Sequence, residues 1–126
     1  MKTRSTIFKA QALEALNTYL NLVPFLENAS REFVECPVPP APGFLVVVRA
    51  PDSAYQLGVE TLTDGQPRKV RAAIQRFWEY KKLMPEAYQV IIAPYISPES
   101  AQLCRDYNVG YIDLSGNARL LSLIHI

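Results

Sequence analysis

Glu60 sits near the end of the run Tyr55-Gln56-Leu57-Gly58-Val59-Glu60-Thr61-Leu62, and Pro67, a helix-opening residue, follows with Arg68, Lys69, Arg71 and Arg76 close behind it. Strand alternation places Leu57 and Val59 on one face and Gly58, Glu60 and Leu62 on the other. A carboxylate withdrawn from water on such a strand is costly, so Glu60 calls for a cation partner, a metal, or exposure. From Pro67 to Leu83 six cations, Arg68, Lys69, Arg71, Arg76, Lys81 and Lys82, stand against one acid, Glu79, a local excess of five. Such a helix suits phosphates, which lysine and arginine neutralise without reading bases. The same charges also serve as the solvated face of an amphipathic helix. Phe77 and Trp78 are expected in the core rather than as platforms for stacked bases.

Other chemistries find little support. The sole histidine, His125, lies in the last six residues, and Cys36 and Cys104 are the only cysteines. Two cysteines make neither a disulfide framework nor, without histidines, a good metal site, and a reducing cytoplasm suits them. No phosphate loop or dinucleotide fingerprint occurs, which disfavours a small-molecule enzyme. The net charge of +1 carries no global message about partners. No run reaches the roughly 20 apolar residues of a membrane span, so no membrane is expected as a partner.

The 126 residues, 49% hydrophobic, suit one core. Leu13, Leu16, Leu20 and Val23 recur at helical spacing, predicting a helix from Thr6 to Val23 stopped by Pro24. Three strands are expected at Arg31 to Cys36, Gly43 to Arg49 and Tyr55 to Leu62, the last two forming an antiparallel hairpin around Asp52 and Ser53. Val70, Ala73, Ile74, Phe77, Tyr80 and Met84 give a second amphipathic helix from Pro67 to about Leu83. Ala87 to Ile96 contains the continuous apolar run of a central strand. Ser97-Pro98-Glu99 opens a short helix ending near Gly110, and Gly110 to Leu114 is a last strand before the turn Ser115-Gly116-Asn117. Asp113 reads as a turn-organising residue, with a place beside Glu60 at the sheet edge as the alternative.

This order, α-β-β-β-α-β-α-β, resembles the PD-(D/E)XK nuclease superfamily, and the resemblance covers Thr6 to about Leu120. It implies a restriction-endonuclease-like mixed sheet flanked by helices. It also implies a magnesium ion held by an acid on one hairpin strand and a second acid on the next, followed two residues later by a lysine. Glu60 falls on the second acid, but Leu62 occupies the lysine position. If facing residues in the hairpin sum to about 105, Glu60 faces Leu45, Phe44 or Val46, none acidic. Asp52 of Pro51-Asp52 would then lie at the hairpin tip, about 20 Å or more from Glu60 at about 3.3 Å per residue. The strings Asp64-Gly65-Gln66-Pro67-Arg68, Ala93-Pro94-Tyr95-Ile96-Ser97-Pro98-Glu99 and Gly110 to Leu120 are similar to a bacterial family of nuclease-fold proteins, some with a winged-helix region.

The expectation is therefore a DNA-interacting nuclease-fold domain with a degraded magnesium-dependent phosphodiesterase centre. Glu60 would be the remaining metal or structural carboxylate, Gln66 and Lys69 its catalytic helpers, and Arg68, Lys69, Arg71 and Arg76 the nucleic-acid contacts. Magnesium is expected only if the centre is active. The plainer alternative pairs Glu60 with Arg68 or Lys69, in a non-catalytic regulatory or interaction domain of a winged-helix regulator or antitoxin-like protein. DNA is the expected partner, and a homodimer is compatible with this reading. Residues 121–126, Leu-Ser-Leu-Ile-His-Ile, match the translated end of a transposon adaptor used in sequencing libraries. One domain over residues 1–120 is expected, with a DNA-binding module lost downstream.

Overall fold

A computed structural model describes residues 4–22, 30–35, 44–49 and 54–120. Helix α1, Arg4–Leu20, is followed by strands β1, Ser30–Glu35, β2, Phe44–Arg49, and β3, Ala54–Thr61. Then come α2, Pro67–Lys81, β4, Ala87–Ala93, α3, Pro98–Asp106, β5, Gly110–Asp113, and β6, Ala118–Arg119. The expected order holds, with β6 added. Expectations for Val23, Cys36, Gly43, Pro51, Asp52 and residues 121–126 fall outside the described residues.

The six strands form one mixed sheet in the order β1-β2-β3-β4-β5-β6. β1, β2 and β3 are antiparallel neighbours, β3, β4 and β5 are parallel, and β6 turns back against β5. Alternation divides the core between the two faces. Tyr55, Leu57 and Val59 of β3, with Val90 and Ile92 of β4, meet Ala12, Leu16 and Leu20, the inward stripe of α1 at four-residue spacing. On the opposite face Ile91, Ala93 and Tyr111 meet Val70, Ala73 and Ile74 of α2 and Ala101 and Cys104 of α3. β4 is thus covered on both sides, as its unbroken apolar run requires. Gln89, buried on that strand, donates to the Ala73 carbonyl of α2 at 3.0 Å.

The hairpin register differs from expectation. Leu45 faces Gly58 and Phe44 faces Val59, so facing residues sum to 103 rather than about 105. Glu60 lies one step beyond the last pair instead of opposite Leu45. The last facing pair of the hairpin is Arg49 and Ala54, so the register is shifted one residue towards the N-terminus from that expected.

The carboxyl ends of β3, β4 and β5 share one rim. There Gly65 makes a parallel bridge to Ile96, joining the segment that leads into α2 to the one that leads into α3. A β-carbon at Gly65 would run into the Tyr95 carbonyl oxygen and lie 3.0 Å from the Ile96 Cα. Only glycine lets the two backbones approach this closely. The α3 start is as read: Ser97 Oγ accepts from the Ser100 amide at 3.2 Å, with Pro98 and Glu99 in the first turn. Gly65→Ala should lower unfolding free energy by about 1–3 kcal/mol, seen as a lower urea midpoint, because neither backbone can yield without moving a helix start.

Candidate functional site

β3 presents Glu60 on the face covered by α2, with its side chain 18% exposed. Arg76 of α2 supplies the cation. Its Nε donates to Glu60 Oε1 at 2.8 Å and its Nη2 lies 2.6 Å from the same oxygen. The paired cation is thus neither Arg68 nor Lys69. Desolvation pushes the Glu60 pKa above the usual glutamate value, while the hydrogen bond and charge of Arg76 pull against it.

The other anticipated residues are placed differently. Among the described residues Arg76 is the donor to Glu60, and neither Gln66 nor Lys69 bonds it. Gln66 caps α2 by backbone position alone: its side chain makes no capping bond, and its amide donates to Asp64 Oδ1 at 2.9 Å. Arg68, Lys69 and Arg71 are exposed on the first turns of α2 and have no ion-pair partner among the described residues. Lys82 pairs with Glu79 at 3.1 Å. Leu62, at the position where the resemblance asks for lysine, is buried with Val70, Ile74, Ile91 and Ile96.

Magnesium wants near-octahedral oxygen ligands, usually with at least one free carboxylate among them. Here one oxygen of the one carboxylate in place is bound by a guanidinium. No three His, Cys, Asp or Glu residues gather among the described residues. The donor set does not fit the ion. Cys104 offers no nucleophile, since burial pushes its thiol up to about 12.

Asp113, 1% exposed, ends β5 at the same rim. Its Oδ1 accepts from the Ser115 and Asn117 amides, each at 3.0 Å. Its Oδ2 accepts from the Ile96 amide at 3.2 Å and the Asn117 side chain at 3.3 Å. The carboxylate therefore builds the β5–β6 turn, where Gly116 takes φ 112°, and ties it to the start of α3. The turn-organising reading of Asp113 is the one the hydrogen bonds support. Trp78 overturns an expectation: Phe77 is in the core, but Trp78 is 53% exposed and lies edge-on to Tyr107 of the α3 C-cap, ring centroids 5.7 Å apart. The sequence signal was the stripe Arg71, Gln75, Trp78, Lys82, whose four-three-four spacing sets Trp78 among polar residues.

No family model matches the chain, and no curated protein matches it. Among solved structures it is similar to a repair endonuclease from Pyrococcus abyssi, with TM-score 0.52 and 11% identity over 81% of this chain and 46% of that one. A second similar structure is an EndoMS complex with double-stranded DNA, at TM-score 0.48 and 14% identity over 88% of this chain and 46% of that one. The chain spans under half the length of either. The first likeness shows the fold: a mixed sheet with helices on both faces, as in a nuclease. No helix among the described residues is long and apolar enough to cross a membrane.

Between the ordinary glutamate pKa and the raised value in the fold, the folded protein binds more protons than the unfolded chain, so Glu60 makes stability fall as pH rises through that window. Urea midpoints measured across mildly acidic pH should show this slope, flattened in Glu60→Gln. Arg76→Ala, which strands the carboxylate, should cost about 1–2 kcal/mol at neutral pH. Asp113→Ala should cost about 3 kcal/mol by the same measurement, because it leaves buried amides without an acceptor, and Asp113→Asn should cost less.

Proposed function

We propose that this chain is a DNA-contacting domain of the nuclease fold whose former catalytic position does not cut. The observation that carries the reading is the Glu60–Arg76 pair: the carboxylate that would hold a metal is bonded to a cation of its own chain, and the lysine position is a core leucine. What supports DNA as the partner is the start of α2, where Arg68, Lys69 and Arg71 stand exposed and unneutralised among the described residues. A helix N-terminus adds its own partial positive charge there. The similar solved structures are a repair endonuclease and a complex with double-stranded DNA.

These side chains contact phosphates rather than base edges, so binding should be salt-dependent and largely blind to sequence. Arg76 contributes little to it while held by Glu60. The alternative, a non-catalytic regulatory or interaction domain of a winged-helix regulator or antitoxin-like protein, would share the salt-dependent DNA contact and never cleave.

In a gel-shift series with duplex DNA, the chain should bind at low salt, and reversing Arg68 or Arg71 to Glu should weaken binding on all sequences and reduce the salt slope by about 1 or more each. Plasmid and single-stranded DNA should remain intact with magnesium. Cleavage that disappears in Glu60→Ala would overturn the non-cutting reading, and binding indifferent to both reversals would overturn the DNA contact.

A further inference from the structure

Trp78 and Tyr107 are an unusual pair to leave in water. Tryptophan is strongly buried on average, yet here the ring is 53% exposed, and Tyr107 beside it is 47% exposed. Their T-shaped contact joins α2 to the end of α3 and fixes the indole's orientation. Their polar surroundings carry both signs of charge. Arg71 lies two helical turns back on the same stripe, about 10 Å away at 1.5 Å per residue. Gln75 lies between, and Lys82 follows, paired with Glu79 at 3.1 Å. Asp106 next to Tyr107 accepts from the neutral amide of Gln102 at 2.9 Å and keeps its charge, with Arg105 adjacent to it in the chain. The patch thus combines a fixed, accessible aromatic face with a cation, unpaired among the described residues, two turns along the same stripe.

We propose that this outer face of α2 and α3 binds single-stranded nucleic acid, with an unpaired base stacked on Trp78, supported by Tyr107, and the adjoining phosphates drawn to Arg71. The inference rests on the reading of Arg71 as a phosphate contact, and adds a base-contacting element that the rim at Glu60 lacks. Charge selects this occupant. A protein partner would have to supply acids for the basic stripe, whereas a nucleic-acid strand carries one negative charge per nucleotide along with its stacking faces. Along its length a duplex already stacks its bases on one another and offers the indole only edges and backbone.

Trp78 is the only tryptophan in the chain, so its emission reports on this face alone. The full chain would be titrated with a short oligothymidine, a matching oligouridine and a blunt duplex, following Trp78 emission and, separately, the anisotropy of a labelled strand. Expected is saturable quenching by one or both single strands and little by the duplex, with the two single-strand arms showing whether DNA or RNA is preferred. In the anisotropy arm Trp78→Ala should weaken single-strand binding about tenfold or more, while Trp78→Phe, which keeps a stacking ring, should stay within about threefold. Circular dichroism of both variants confirms folding. Labelled strand that binds without changing Trp78 emission, and equally well in Trp78→Ala, overturns this site while leaving the DNA contact of Arg68 and Arg71 standing. Equal quenching by the duplex overturns the preference for unpaired bases. An emission shift that follows protein concentration alone marks self-association and overturns the assignment. Absence of any nucleic-acid binding overturns both readings together.

Discussion

The approach of Gly65 to Ile96 sets where two helices begin, and much else in the molecule follows from it. Because the backbones touch at the rim, α2 and α3 start side by side and run back over the same sheet face. Asp113 extends the fastening by one strand, since its carboxylate takes the Ile96 amide as well as the amides of its own turn. Three connections are thereby held in a line by one bridge and one buried acid. The two helices are short and could not hold this alignment by intrinsic propensity. Their shared start brings the end of α3 against the flank of α2, where Tyr107 meets Trp78.

On the other flank of α2 the same placement decides the fate of Glu60. A half-buried carboxylate needs compensation, and in the arrangement the superfamily resemblance implies, a metal would supply it. Here a guanidinium does. Exchanging a diffusible ion for a tethered cation satisfies the charge but fills one carboxylate oxygen. Leu62, packed among Val70, Ile74 and Ile91, brings no proton-handling group to this strand end. Stability and catalysis ask different things of this strand end, and its present residues answer the first.

The sequence made the layers legible, because each rests on a local pattern: the period of α2, the unbroken run of β4, and the Ser97-Pro98-Glu99 start of α3. β6 has two residues, too few for alternation to register. Register failed for a similar reason, since Pro51, Asp52 and Ser53 all favour a turn and do not by themselves fix where it is centred. Nearness in sequence points to Arg68 and Lys69, in the first turn of the helix, as partners of Glu60. Helical side chains lean towards the helix N-terminus, so a long arginine more than two turns in reaches back to the strand end while the earlier residues point past it. The apolar character of Trp78 points to the core, although its position on the helix groups it with Arg71 and Gln75.

That last contrast separates two kinds of information in α2. Its inward stripe, Val70, Ala73, Ile74, Phe77 and Tyr80, is dictated by the sheet it covers, and almost any apolar set of matching volume would serve. Its flanks are under no such demand. One flank spends Arg76 on Glu60, and the other keeps an indole in water next to a second exposed ring. Folding alone explains the first, because an unpaired Glu60 would be costly. It does not explain the second, since a polar residue at position 78 would leave the core untouched and remove an apolar surface from solvent. A single strand stacked on Trp78, as proposed, would take that surface out of water. The basic stripe running from Trp78 to the start of α2 gives that contact its sign.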